Sequence, residues 1–313
     1  MIKQFFRKLY ITARRCILQV VKDYNTHSII REFNKHYGKD KYIIFNPPQG
    51  MGDILACCCG VEYLNIGEKK VFIIVNKKYF VDIQSFFPEE YVKIFFSSKL
   101  FAEQPFHEYI PLTKKMYNSG DSFISIKHNM CSALGIPLDV SFNNQYKPKG
   151  EWGELPEIKL GKTIYISPFA TSCKDELAFE FWEGLANRLI DKGYDVIFNA
   201  PSNSLYSKSH RTCLFNLANT VELVTRCGFF IGWRSGLCDV IGMYANAKNI
   251  IIYPSTPHLI NNLLVPDGFS YAEAYMKCCS LKTMWGVEAV EIINNSDLLN
   301  QIEKELDICQ VLS

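Results

Sequence analysis

At 313 residues, 48% hydrophobic and 14% aromatic, the chain is long enough for two packed domains at about 150 residues each. Its 34 basic and 32 acidic residues leave a formal charge of +2, which excludes a global electrostatic pull toward nucleic acid. Twelve cysteines suggest a metal or disulfide framework, but Cys57, Cys58 and Cys59 are consecutive, as are Cys278 and Cys279. No pair has the two-residue gap that converges thiolates on one zinc, so buried free thiols in a reducing cytosol are expected.

The first 40 residues read as a basic amphipathic helical segment. Phe5, Phe6, Leu9, Tyr10, Ala13, Ile17 and Val20 fall near helical spacing, among Lys3, Arg7, Lys8, Arg14, Arg15 and Lys22. The basic residues interrupt the apolar ones, unlike a signal peptide, and no apolar run approaches the ~20 residues needed to cross a bilayer. Residues 1–24 either lie on an anionic membrane surface or pack on the protein with their charges solvated.

From Lys41 onward, short apolar runs alternate with helical patterns, the grammar of parallel α/β layers. Strands are expected at Tyr42–Phe45, Val71–Val75 and Val92–Phe96, with a helix from about Asp53 to Asn65 and another over Ser122–Leu134, stopped by Gly135 and Pro137. Residues 141–161 are rich in Asn, Lys, Gly and Pro around Trp152 and read as a linker. They divide a domain of residues 41–150 from one of residues 151–313. In the second, strands are expected at Thr163–Ser167, Asp195–Phe198, Phe229–Ile231 and Asn249–Tyr253. Helices are expected over Ala178–Asp191, with Phe181, Leu185 and Leu189 on one face and Gly193 as the stop, then over Thr220–Cys227, Leu237–Tyr244 and Ser296–Leu306.

Ligands of open α/β sheets bind where strands lead into helices, and three such loops carry suitable chemistry. In Gly50-Met51-Gly52-Asp53 the glycines let a ligand approach the backbone. Asp53 is then either a helix N-cap or a general base able to take a proton from a sugar hydroxyl. Ser167-Pro168-Phe169-Ala170-Thr171-Ser172-Cys173-Lys174 combines hydroxyls, helix amides and an ammonium, an anion site, unless Lys174 is simply solvated. In Trp233-Arg234-Ser235-Gly236-Leu237-Cys238-Asp239, amides can cradle a phosphate with Arg234 as clamp. The alternative there is an Arg234–Asp239 surface pair of little energetic value.

Other patterns fail. Gly232 to Gly236 lacks the glycine spacing of a nucleophile elbow, there is no Walker run and no complete Gly-x-Gly-x-x-Gly, and His107, His210 and His258 show no metal spacing.

The three loops, in this order, resemble the GT-B glycosyltransferases related to the lipopolysaccharide heptosyltransferase family (glycosyltransferase family 9-like) over about residues 41–255. Gly52-Asp53-Ile54-Leu55 resembles its Gly-Asp opening, Ser167-Pro168-Phe169 through Lys174 its donor-side loop, and Ser235-Gly236-Leu237 its Ser/Thr-Gly diphosphate turn. Where that family has an acidic residue before the turn, Arg234 stands here, and Cys238-Asp239 replaces its histidine. Both differences fall in the donor pocket.

The resemblance implies two Rossmann-like domains facing a cleft, the first for acceptor and the second for a nucleotide-sugar donor. It implies transfer of a sugar, with inversion, to a glycan or glycolipid of bacterial-type surface polysaccharide. Asp53 would be catalytic. Gly50, Gly52, Ser167, Pro168, Phe169, Thr171, Ser172, Lys174, Arg234, Ser235, Gly236, Leu237 and Asp239 would bind donor. No Asp-x-Asp triplet is present, and Glu303-Lys304-Glu305 lies in the last expected helix, so no metal and no cofactor beyond the donor is expected. The expected setting is the cytoplasm, with residues 1–24 as a possible contact to the inner membrane face. Two other readings share the sequence: a non-catalytic sugar-nucleotide-binding scaffold and a GT-B-type sugar-nucleotide epimerase.

Overall fold

Short runs rich in Ile, Val, Phe and Tyr fit a pleated, doubly covered surface better than a helix. They form parallel strands in the computed structural model, which describes residues 31, 34, 35, 37–39, 41–45, 50–61, 63, 70–87, 93–97, 155–170, 177–255 and 268–312. The anticipated N-terminal helix up to residue 30, the helix at 122–134 and the linker as far as 154 lie outside the described residues, as does the division near residue 150.

The first unit runs β1 (Tyr42–Phe45), α1 (Met51–Val61), β2 (Lys70–Asn76), α2 (Lys77–Phe86) and β3 (Lys93–Ser97). Its strands pair in the order β1-β2-β3, all parallel. The second unit runs β4 (Thr163–Ser167), α3 (Phe179–Asp191), β5 (Asp195–Asn199), β6 (Arg211–Cys213), α4 (Leu217–Cys227), β7 (Gly228–Trp233) and α5 (Gly236–Tyr244). It continues through β8 (Lys248–Tyr253), α6 (Tyr271–Cys279), α7 (Leu281–Trp285), β9 (Val290–Ile293) and α8 (Leu298–Leu312).

The larger sheet has the order β6-β5-β4-β7-β8-β9, again wholly parallel. Numbered from β4, this is the 3-2-1-4-5-6 order of a doubly wound sheet, with its switch point between β4 and β7. The expected α/β class with a parallel sheet is therefore the observed one.

Burial explains the strands. All of β4 is buried, and β8 is buried from Asn249 to Tyr253. Helix α3 turns Trp182, Leu185, Ala186 and Leu189 into the core, while Phe181 is only partly covered and meets Trp182 edge-on at 5.3 Å between centroids. The helix stops where expected: Gly193 takes a φ of +89°, which a side-chain-bearing residue adopts only with strain. Elements α2, β6, α6, α7 and β9 were not anticipated. They are short or polar, and contacts distant in the chain stabilise them.

Cys57, Cys58, Cys59, Cys227, Cys238, Cys278 and Cys279 are buried and form no disulfide, and Cys213 is a partly buried thiol that forms none either. Burial pushes the thiol of Cys227 up to about 12 and those of Cys238 and Cys278 to about 11, so these remain neutral packing groups. Among the described residues, no helix is long and apolar enough to cross a membrane.

Trp182 is 1% exposed, and replacing it tests whether α3 is part of the core of the larger sheet. Trp182→Ala is expected to cost about 3–5 kcal/mol, read as a lowered urea midpoint at unchanged slope.

Candidate functional site

In a parallel sheet every strand delivers its carboxyl end to the same side, and a crevice opens where successive connections leave in opposite directions. A cavity of about 650 Å³ lies at that point here. It is lined by Ser167 at the end of β4 and Phe169 just after it, by Asn199 and Pro201 around the end of β5, and by Arg234, Ser235, Gly236, Leu237 and Asp239 after β7. The first unit contributes Gly50, Met51 and Gly52, together with Tyr79 and Asp82 of α2.

Nine of the residues singled out from the sequence thus share one cavity: Gly50, Gly52, Ser167, Phe169, Arg234, Ser235, Gly236, Leu237 and Asp239. Pro168 is buried next to it. Thr171, Ser172 and Lys174 lie outside the described residues. Asp53 is the third residue of α1 rather than its cap or start. The Gly50 carbonyl already accepts from the Ile54 amide at 3.0 Å, so Gly50, an acceptable N-cap residue, opens the helix before Asp53.

The turn after β7 is organised by an ion pair. Arg234 Nη1 donates to Asp239 Oδ2 at 2.9 Å and Nη2 to Oδ1 at 2.8 Å, a two-pronged contact. Nε also donates to the Cys279 carbonyl at 3.2 Å, Nη1 to the Ser235 carbonyl at 2.6 Å, and Trp285 Nε1 to Asp239 Oδ1 at 2.8 Å. Arg234 is 6% and Asp239 3% exposed, so the Arg234–Asp239 pair given as the alternative does form, but buried rather than at the surface. Helices α6 and α7 supply Cys279 and Trp285, which hold the pair in the interior. Burial disfavours the guanidinium charge, but Asp239, Tyr253 and Cys238 nearby together outweigh that cost and raise the Arg234 pKa.

The same carboxylate meets the first unit. A Cβ on Gly52 would run into Asp239 Oδ2. A Cβ on Gly236 would stand 2.7 Å from Met51 Cβ and 2.8 Å from the Gly52 nitrogen. Glycine at both positions is what allows the starts of α1 and α5 to approach this closely, Gly52 against the Asp239 carboxylate and Gly236 against Met51 and the Gly52 amide.

Helix α5 begins beside this junction without a side-chain cap. Ser235 has the extended N-cap conformation (φ −152°, ψ 170°), yet its hydroxyl accepts from none of the helix amides. By contrast, Asn216 Oδ1 accepts from the Asn219 amide at 2.8 Å at the start of α4, and Ser270 and Glu273 form a capping box on α6. The leading amides of α5, uncapped at the cavity wall, make the local potential favourable for an anion.

Among the cavity residues that escaped the sequence reading are Asn199, Asp82 and Tyr79. Asn199 Nδ2 donates to Ser167 Oγ at 3.1 Å and its Oδ1 accepts from Tyr165 OH at 3.0 Å, so the ends of β4 and β5 share a polar network. Asp82 Oδ1 accepts from the Leu217 amide at 3.0 Å. Burial pushes the Asp82 carboxyl upward against the lowering effect of that amide. Tyr79, the third, could have been found from the helical spacing of Tyr79, Ile83 and Phe86. Nothing local signals Asp82, whose partner lies 135 residues away.

No protein-family model matches the chain, and no curated protein does. Solved structures similar to it include ADP-heptose lps heptosyltransferase II of E. coli, at 15% identity over 84% of this chain and 99% of that one, with a TM-score of 0.47. E. coli heptosyltransferase WaaC with ADP-2-deoxy-2-fluoro heptose is similar at 12% identity over 84% and 98%, TM-score 0.48. A glycosyl transferase of family 9 from Veillonella parvula DSM 2008 is similar at 11% identity over 85% and 89%, TM-score 0.49. These proteins belong to the family named above from the motifs. Likeness this distant carries neither activity nor substrate to this chain.

Asp239→Asn keeps the shape of the junction and strands a buried guanidinium, for which a loss of about 3–5 kcal/mol is expected. Arg234→Met combined with Asp239→Asn removes both charges and should recover part of that loss, measurable as a coupling energy in a denaturation double-mutant cycle.

Proposed function

We infer that this chain is a glycosyltransferase of GT-B architecture that transfers a sugar from a nucleotide-sugar donor to a glycan or glycolipid of a surface polysaccharide. The observation that carries this reading is the uncapped start of α5 at the β4–β7 switch point, in a cavity also lined by Gly50 and Gly52. Such a geometry suits a diphosphate. The order of the three loops in the sequence supports the sugar-transfer chemistry.

In this reading the second unit, residues 151–313, holds the donor and the first, residues 41–150, presents the acceptor. The Gly236 and Leu237 amides, with the Ser235 hydroxyl, receive the diphosphate. Thr171, Ser172 and Lys174, between β4 and α3 in the sequence, add hydroxyls and a positive charge. Ser167, Pro168 and Phe169 shape the wall opposite. Arg234 acts through Asp239 to fix the turn, because its fork is occupied by Asp239 and two carbonyls.

Asp53 takes the proton of the acceptor hydroxyl as its oxygen bonds to the anomeric carbon from the face opposite the diphosphate. The bond from that carbon to the diphosphate oxygen breaks, configuration inverts, and nucleoside diphosphate leaves with the electron pair. The α5 amides and Lys174 stabilise the charge that grows there. No metal enters this scheme. The proposed setting is the cytoplasm, with residues 1–24 touching the membrane face.

One observation favours a second reading, a non-catalytic sugar-nucleotide-binding protein: Arg234 is spent on Asp239 rather than offered to phosphate.

The two are separated by a thermal-shift panel of nucleoside diphosphates and sugar nucleotides, with and without magnesium, followed by a transfer assay. A transferase should be stabilised by one nucleotide class and turn over. Asp53→Asn should keep that stabilisation and lose about 10²–10⁴ in turnover. Binding without turnover would favour the second reading, and no shift with any nucleotide would overturn both.

A further inference from the structure

The transfer scheme leaves one carboxylate of the cavity wall without a task. Asp82 lies in the second turn of α2, three residues after Tyr79, so the two side chains share a helix face, and both line the cavity. Asp82 Oδ1 is tethered by the Leu217 amide at 3.0 Å, at the first residue of α4. That bond crosses from the first unit to the second and fixes the carboxylate in place. Oδ2 has no hydrogen bond among the described residues.

Charge decides what can approach it. Of the described residues lining the cavity, Asp82, Arg234 and Asp239 are the charged ones. Arg234 and Asp239 neutralise one another, so among the described residues of the wall Asp82 stands uncompensated. A diphosphate is repelled by it and drawn toward the start of α5. The part of a ligand beside Asp82 is therefore a neutral group rich in donors. An ionised carboxylate is acceptor-only with several lone pairs, and its bonds to neutral donors are stronger than those between neutral groups. Adjacent hydroxyls of a sugar ring match that demand. Tyr79, one helical turn away, adds a flat apolar body with a polar tip suited to a sugar, which has both apolar C–H and polar O–H surface.

We propose that Asp82 and Tyr79 form a sugar-hydroxyl subsite, taking the neutral part of a ligand whose anionic group sits at α5. The proposal rests on the nucleotide-sugar reading only for the position of the diphosphate. The hydroxyls belong either to the sugar being transferred or to the acceptor.

Asp82→Asn separates this role from a structural one, because the amide oxygen still accepts from Leu217 and only the anionic acceptor is lost. Asp82→Ala removes both. Wild type and variants are titrated calorimetrically with ADP, UDP and GDP, with ADP-glucose, UDP-glucose and GDP-mannose, and with free mono- and disaccharides, alongside melting temperatures. Asp82→Asn is expected to keep the melting temperature and diphosphate affinity, and to weaken a sugar-bearing ligand by about 10- to 100-fold. A loss seen for a sugar nucleotide but not its diphosphate identifies the transferred sugar, and a loss for a free saccharide identifies the acceptor. Unchanged affinity for every ligand, with only Asp82→Ala destabilised, would reduce Asp82 to a cap on α4 and overturn the subsite. Tyr79→Ala leaves the tether alone and should weaken the same ligand, which keeps the test available if Asp82→Asn fails to fold. Unchanged affinity in that variant counts equally against the proposal. If no nucleotide binds wild type but a saccharide binds in an Asp82-dependent way, the nucleotide-sugar reading falls and the subsite stands. If nucleotides bind and the Asp82 and Tyr79 variants change nothing, the subsite falls alone.

Discussion

The contact of Asp239 with Arg234 on one side and Gly52 on the other joins the two sheets at the cavity. A buried ion pair is poor evidence of net stability, since desolvating two charges costs several kcal/mol each and the attraction only offsets it. What the pair secures is geometry. Each prong of the guanidinium has an assigned acceptor, and the Cys279 and Ser235 carbonyls and the Trp285 indole close the remaining sides. The turn after β7 is held from α6, α7 and its own helix at once. Gly52 then leaves room for the Asp239 carboxylate, and Gly236 for Met51 and the Gly52 amide, so the start of α1 lies against the start of α5. A larger residue at either position would push the loops apart, and the cavity wall with them.

This constraint works because the sheet order brings the right loops together. With β4 and β7 adjacent and parallel, Ser167 and the Arg234–Gly236 turn emerge side by side although they are far apart in sequence. The connections from β4 run one way, to β5 and β6, and those from β7 run the other, to β8 and β9. The gap at their divergence is where a ligand can reach backbone amides without displacing a helix. The uncapped α5 faces that gap. A serine at the N-cap position that leaves the amides free, in a chain that caps α4, α6 and α7 with side chains, fits a helix end kept for an external acceptor.

Legibility in the sequence followed the range of the interactions involved. Strands such as Thr163–Ser167 match their expected bounds, because a fully buried parallel strand writes itself as a continuous apolar run. The three loops were legible as glycine, hydroxyl and basic clusters between periodic segments, and the residues of theirs that are described converge on one cavity. The state of Arg234 was not legible. The five-residue spacing to Asp239 shows that a pair can form, but its burial depends on Cys279 and Trp285, which lie some forty-five residues on. Strand β6 is three residues long at the sheet edge, and too short to carry a period. Asp82 was invisible for the strongest reason: its partner is a backbone amide, which has no sequence identity at all.

The internal neutralisation of Arg234 has a consequence for the chemistry. Had its charge faced the cavity, the donor's diphosphate would have met a cation and a helix end together. With that charge committed to Asp239, the described wall offers the helix end alone. An N-terminal helix dipole contributes about half an elementary charge, worth ~2 kcal/mol at most in a partly buried setting. That is small against the two or so negative charges of a diphosphate, and Asp82 opposes it. The proposed transfer therefore leans on Lys174 and the hydroxyls of Thr171 and Ser172 for most of its charge compensation. In the proposed scheme, the Arg234–Asp239 pair, Lys174 as the source of charge compensation and the Asp82 subsite would form one coupled arrangement. Altering any of the three would then shift the balance proposed to keep a phosphate at α5 and a sugar at α2.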